Sequence, residues 1–153
     1  MAISSLFIFG RRSPIIQPLP FSHNLHIDEV GLECIDCHLR VEDHQRATLP
    51  ALEVCQDCHS EELTETALEK QLLAYTTSDQ AIPWRRIYTV PDHVYFSHRR
   101  HVTSGNLDCQ LCHGAVAEMT EPAKYPVIEV TMDNCTECHS ERQITNDCLA
   151  CHR

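Results

Sequence analysis

The chain has 153 residues, 42% of them hydrophobic, with 22 acidic against 12 basic side chains and a net charge of −10 with histidine neutral. That length allows one ordinary peptide core. The acidity disfavours nucleic-acid binding, and no stretch approaches the roughly 20 apolar residues needed to span a bilayer.

Residues 1–17 read as an N-terminal extension. Met1 to Phe9 is apolar, but Arg11 and Arg12 follow it, whereas a secretory signal carries its positive charge first. Leu6–Phe9 and Pro14–Pro20 are candidates for lying against a partner subunit or the membrane surface. Peripheral membrane contact is therefore one expectation for residues 1–20.

Residues 18–60 form a first unit. Phe21-Ser22-His23-Asn24-Leu25-His26 opens it, and Cys34-x-x-Cys37-His38 and Cys55-x-x-Cys58-His59 follow. Residues 61–90 read as a helical linker and arm. Glu61 to Tyr75 is rich in Glu, Leu, Ala, Lys and Gln and predicts one amphipathic helix with Leu68, Leu72 and Tyr75 on a stripe. Thr76 to Pro83 is a polar break, and Trp84 to Val90 alternates enough for a short strand or extended arm. Residues 91–153 form a second unit. It opens with Phe96-Ser97-His98-Arg99-Arg100-His101 and holds Cys109-x-x-Cys112-His113, Cys135-x-x-Cys138-His139 and Cys148-x-x-Cys151-His152. His26 stands eight residues before Cys34, and His101 eight before Cys109. This is an internal repeat and predicts two related units.

Cys-x-x-Cys-His occurs five times and uses all ten cysteines. The spacing is the attachment signature of a c-type haem: both thiols bond covalently to the porphyrin and the adjoining imidazole ligates the iron. A Cys₄ zinc site is the competing reading, since 17 residues separate Cys37 from Cys55. Five pairs would strand one, 22 residues between Cys112 and Cys135 is loose for a ribbon, and such a site has no use for five following histidines. A disulfide framework leaves those histidines unexplained too. The expected cofactors are five covalently bound haem c. Their cysteines are Cys34, Cys37, Cys55, Cys58, Cys109, Cys112, Cys135, Cys138, Cys148 and Cys151, and their proximal ligands are His38, His59, His113, His139 and His152. Four Phe, four Tyr and one Trp suit an interior made of macrocycles. The expected fold is mostly irregular with short α-helices and little β-structure.

Six histidines lie outside these motifs: His23, His26, His44, His93, His98 and His101. Two imidazoles on each of five irons would use ten of the eleven. In a helical segment, residues three apart share a face. Each His-x-x-His could thus reach two neighbouring irons, but not easily one.

Phe-Ser-His-x-x-His followed by Cys-x-x-Cys-His resembles the class III multihaem cytochromes c. The resemblance implies that His23 serves the Cys34/Cys37 haem and His98 the Cys109/Cys112 haem. It also implies that His26 serves the Cys55/Cys58 haem and His101 the Cys135/Cys138 haem. The Cys148/Cys151 haem departs from the pattern, because residues 114–134 contain no histidine. His44 is expected to cross over to it and lock the units together. His93 is the competing donor, and Met119, Met132 and Lys124 are weaker ones.

A longer match is more specific. Gln17 to His23, Val41-Glu42-Asp43-His44, Pro91 to His98 and Asp147 to Arg153 resemble the pentahaem cytochrome subunit of alternative complex III and related quinone oxidoreductases. Those subunits carry a membrane anchor ahead of this domain; no transmembrane segment is expected here. The resemblance implies a subunit of a quinol-oxidising membrane complex, with other redox proteins or subunits as partners. It would work in the periplasm or on the extracytoplasmic face of the cytoplasmic membrane. Irons with two imidazoles each have no open position, so the expected chemistry is outer-sphere electron transfer without catalytic residues. A multihaem reductase with one open iron is the alternative. One electron port is expected at the fifth haem and the other on the first unit.

Overall fold

The computed structural model describes residues 13–152. The apolar start through Arg12, and with it most of the expected extension and membrane contact, lies outside the described residues. Among those described, the architecture is mostly irregular with short helices. These are α1 (Cys34–Cys37), α2 (Leu52–Gln56), α3 (Ala67–Ser78), α4 (Gln110–His113), α5 (Met132–Glu141) and α6 (Cys148–Cys151). There is no strand among them, only one isolated antiparallel bridge between Val94 and His152. No helix is long and apolar enough to cross a membrane.

Three of these helices, α1, α4 and α6, lie within Cys-x-x-Cys-His motifs, and four of the motifs close one turn onto their histidine. The N–H of His38 donates to the Cys34 carbonyl at 2.9 Å, and His59, His113 and His152 repeat the bond to Cys55, Cys109 and Cys148 at 2.8, 2.9 and 2.8 Å. One turn puts both cysteines on one side and hands the histidine to the next bend. Gly114 makes that bend after His113. Its φ of 64° and ψ of −159° suit glycine alone, and a Cβ would come within 2.6 Å of Val127.

The repeated segment is built twice with the same contacts. Leu25–Glu29 and Arg100–Ser104 are each a π-helical turn, closed by Val30 N–H on the Leu25 carbonyl and Gly105 N–H on the Arg100 carbonyl. Phe21 stacks on His26 at 4.3 Å, and Phe96 on His101 at 4.8 Å. Such turns often mark functional sites; here each aims two histidines.

The helix expected over Glu61–Tyr75 starts later and runs further, from Ala67 to Ser78. The Thr66 side chain accepts from Glu69 N–H and fixes the first turn there, as an N-cap does. Asp79, in the left-handed region, ends the helix. Leu72 and Tyr75 pack against Leu19, Leu52 and Ile82, whereas Leu68 is 50% exposed and off the buried stripe. Trp84–Val90 is an extended arm without strand pairing. The Gln17 side-chain amide brackets it, donating to the Arg85 carbonyl and accepting from the Arg85 N–H.

The small cluster of Leu19, Leu52 and Ile82 is the main peptide core, and no described residue after Ile82 is buried. The accessible surface is 11767 Å², against about 7,900 Å² for a globular chain of this mass. Leu149 is 80% and Met132 65% exposed. The described residues of the second half therefore form no buried peptide core. The halves are nonetheless joined. Asn24 N–H donates to the Met119 carbonyl, and His98 and Arg99 N–H donate to the carbonyls of Gln45 and His44.

Candidate metal centres

The histidines come together in facing pairs. His26 faces His59 with ring centres 6.3 Å apart, His98 faces His113 at 6.4 Å, and His101 faces His139 at 6.2 Å. A metal held in line between two imidazoles, with metal–nitrogen bonds of about 2 Å, sets ring centres roughly 6.3 Å apart. His93 and His152 form a fourth pair at 5.5 Å, nearly parallel at 22°. His23 lies close enough to His38 to feel its charge.

At His26, His38 and His101 the Nδ1 contact leaves Nε2 for a metal, whereas the buried Nδ1 of His23 has no hydrogen-bond partner among the described residues. Nδ1 of His26 and of His101 reach the carbonyls of Ser22 and Ser97, both at 2.8 Å, and Nδ1 of His38 reaches the Thr48 carbonyl at 3.0 Å. Nδ1 of His98 lies between the Gln45 carbonyl and the Ala47 N–H, each at 3.3 Å. At His26, His38 and His101 the tautomer that donates to the carbonyl keeps the Nε2 lone pair free. Burial lowers the basicity of His23, to a pKa of about 4, and of His98 and His113. A neutral imidazole is the form that ligates.

His59 has a different partner. Its Nδ1 lies 2.8 Å from Oε1 of Glu69, which is 7% exposed and the one buried polar side chain among the described residues. Burial pushes the Glu69 carboxyl up. Hydrogen bonds from His59, the Leu63 N–H and the Thr64 hydroxyl, with the His59 charge, hold it below the usual carboxylate range.

The structure places His44 elsewhere than at the fifth motif. Its exposed ring bonds Asp43, and it crosses to the second unit through its backbone carbonyl, which accepts from Arg99. His93 stands against His152 instead. The reason is backbone pairing: Val94 bridges to His152, and Tyr95 N–H donates to the Cys151 carbonyl at 2.7 Å. No sequence spacing announces such a contact; the single spare histidine was the one available hint.

The cysteines are all free and partly or fully exposed. Burial, with nearby thiols and acids, pushes Cys37, Cys55, Cys109, Cys112 and Cys135 up. Neighbouring motifs meet through their thiols. Cys55 lies near Cys37, Cys109 near Cys34, and Cys112 near Cys138. Cys135 lies near both Cys112 and Cys151.

Covalently bound haem fits this donor set. Imidazoles oppose each other at metal-bridging distance, paired thiols lie on single turns, and apolar side chains await cover. The buried Trp84 Nε1 has no acceptor among the described residues, and a carboxylate would satisfy it.

Comparison with known proteins agrees. Residues 94–153 match the family of cytochrome c7 and related cytochromes c. The chain is 31% identical, over 161 aligned positions, to the multihaem cytochrome c subunit of a menaquinone reductase from Nitratidesulfovibrio vulgaris (strain Hildenborough); the alignment covers 90% of this chain and 77% of that one. The chain belongs to the multihaem cytochromes c. It is an electron-transfer protein bearing covalent haem c, rather than an enzyme.

Proposed function

We propose that the chain binds five haems, each between two imidazoles, and carries electrons within a quinone-linked membrane complex on the periplasmic or extracytoplasmic side. The observation that carries this reading is the set of four imidazole pairs with ring centres 5.5 to 6.4 Å apart. His23 with His38 completes the fifth. The ligand pairs are then His23/His38, His26/His59, His98/His113, His101/His139 and His93/His152, with His44 left over. Residues 18–60 would hold two haems and residues 91–153 three.

When bound, the haems supply one-electron centres between which electrons hop, with ligands that favour low potentials. The polypeptide sets their order. Thiol neighbours run from Cys55 to Cys37, Cys34 to Cys109, Cys112 to Cys138 and Cys135 to Cys151. This supports a single row in which the second motif comes first, followed by the first, third, fourth and fifth. The two units join at Cys34 and Cys109. The row ends at Cys55/Cys58 and at Cys148/Cys151, which are the two electron ports.

The relative's name speaks of menaquinone reduction, while the likeness to alternative complex III implies quinol oxidation. One row of closed sites serves either direction, and the potentials at its ends decide. The purified holoprotein should show a mass increase of five haems, wholly low-spin ferric EPR and no CO binding when reduced. A high-spin signal or a CO adduct would instead favour a reductase with an open iron.

A further inference from the structure

We infer that Glu69 is a positioning residue that lowers the redox potential at the Cys55/Cys58 site and makes this end of the row the one that takes up electrons. The inference rests on the ligand reading above, in which His59 and His26 face one iron. His59 Nδ1 hydrogen-bonds Glu69 Oε1 at 2.8 Å. At the neighbouring first motif, His38 Nδ1 meets only the neutral carbonyl of Thr48. A carboxylate accepting the imidazole proton raises the basicity of the ligating nitrogen. A more basic ligand and a nearby negative charge both favour the ferric over the ferrous iron, and outer-shell hydrogen bonding of this kind tunes potential.

The carboxylate is built into place rather than swung in from solvent. Thr66 caps α3 and sets the register that turns Glu69 inward. The Leu63 N–H reaches Oε1 at 3.5 Å and the Thr64 hydroxyl Oε2 at 3.4 Å, so both oxygens are held. The flanking Leu72 and Tyr75 anchor the helix on the core cluster beside Cys55. A buried carboxylate is costly unless paired, and its retention against this one histidine is what the inference explains. A low-potential terminus takes electrons only from a donor of lower potential still, so the partner at this end is a reductant.

The test is a spectroelectrochemical titration of the holoprotein, followed by EPR, for the parent and for Glu69→Gln and Glu69→Asp. The Cys55→Ala/Cys58→Ala double variant identifies which component belongs to this site by its disappearance. Glu69→Gln should move that component upward with five haems still low-spin, and Glu69→Asp should move it less. If five low-spin haems remain and the component does not move, or moves down, the inference about Glu69 fails. If the double variant does not lose exactly one low-spin haem, the ligand reading itself fails. Should Glu69→Gln not mature, Glu69→Asp alone decides by the same sign.

Discussion

At the scale of single residues, ligation divides into what spacing reveals and what only folding reveals. His-x-x-His leaves a local signature because two imidazoles on one turn cannot easily share one iron. In the structure the rings of His26, His98 and His101 face those of His59, His113 and His139. His93 is different. It reaches His152 through a backbone bridge between residues 58 positions apart in the chain, Val94 and His152, and such pairing leaves no local signature. His93→Ala should therefore open one iron: one of five haems becomes high-spin and binds CO when reduced. His44→Ala should leave all five low-spin, since its ring meets Asp43. EPR of the two ferric variants checks this, and a high-spin haem in His44→Ala with none in His93→Ala would restore the crossover ligand.

At the scale of elements, α3 shows how a composition signal misplaces a boundary. The run from Glu61 is rich in helix formers, yet the helix begins only at Ala67. The sequence Thr66-Ala67-Leu68-Glu69 has the spacing of a capping box, a sharper signal than composition. Here Glu69 turns to His59 instead of back to the cap, so a helix start doubles as support for a metal ligand. Removing the cap in Thr66→Ala should cost about 1 kcal/mol. Leu52→Ala empties the centre of the cluster of Leu19, Leu52 and Ile82 and should cost more, roughly 2–4 kcal/mol. Thermal unfolding of the ferric holoproteins, each with its full haem complement, measures both. Equal losses would mean that the cluster is not the stabilising core of the first unit.

At the scale of the whole molecule, the missing peptide interior and the row of motifs are one fact. Few aromatic residues and five attachment signals predict a cofactor-filled interior, and the described residues after Ile82 include none that is buried. The order of the sites was not legible, because it depends on which thiols meet in space. In the proposed order, Cys34 neighbouring Cys109 makes the third motif the junction of the row. Consider two variants, each lacking one haem. Cys55→Ala/Cys58→Ala removes an end and leaves four contiguous sites. Cys109→Ala/Cys112→Ala removes the centre and leaves two separated pairs. After pulsed one-electron reduction, the first variant should redistribute its electron in concentration-independent phases, as the parent does. The second should equilibrate quickly within each pair and then slowly between pairs, in a phase that depends on protein concentration because the electron must pass between molecules. If the second variant behaves like the parent, with four low-spin haems present, the row bypasses the third site and the order drawn from the thiol contacts is wrong.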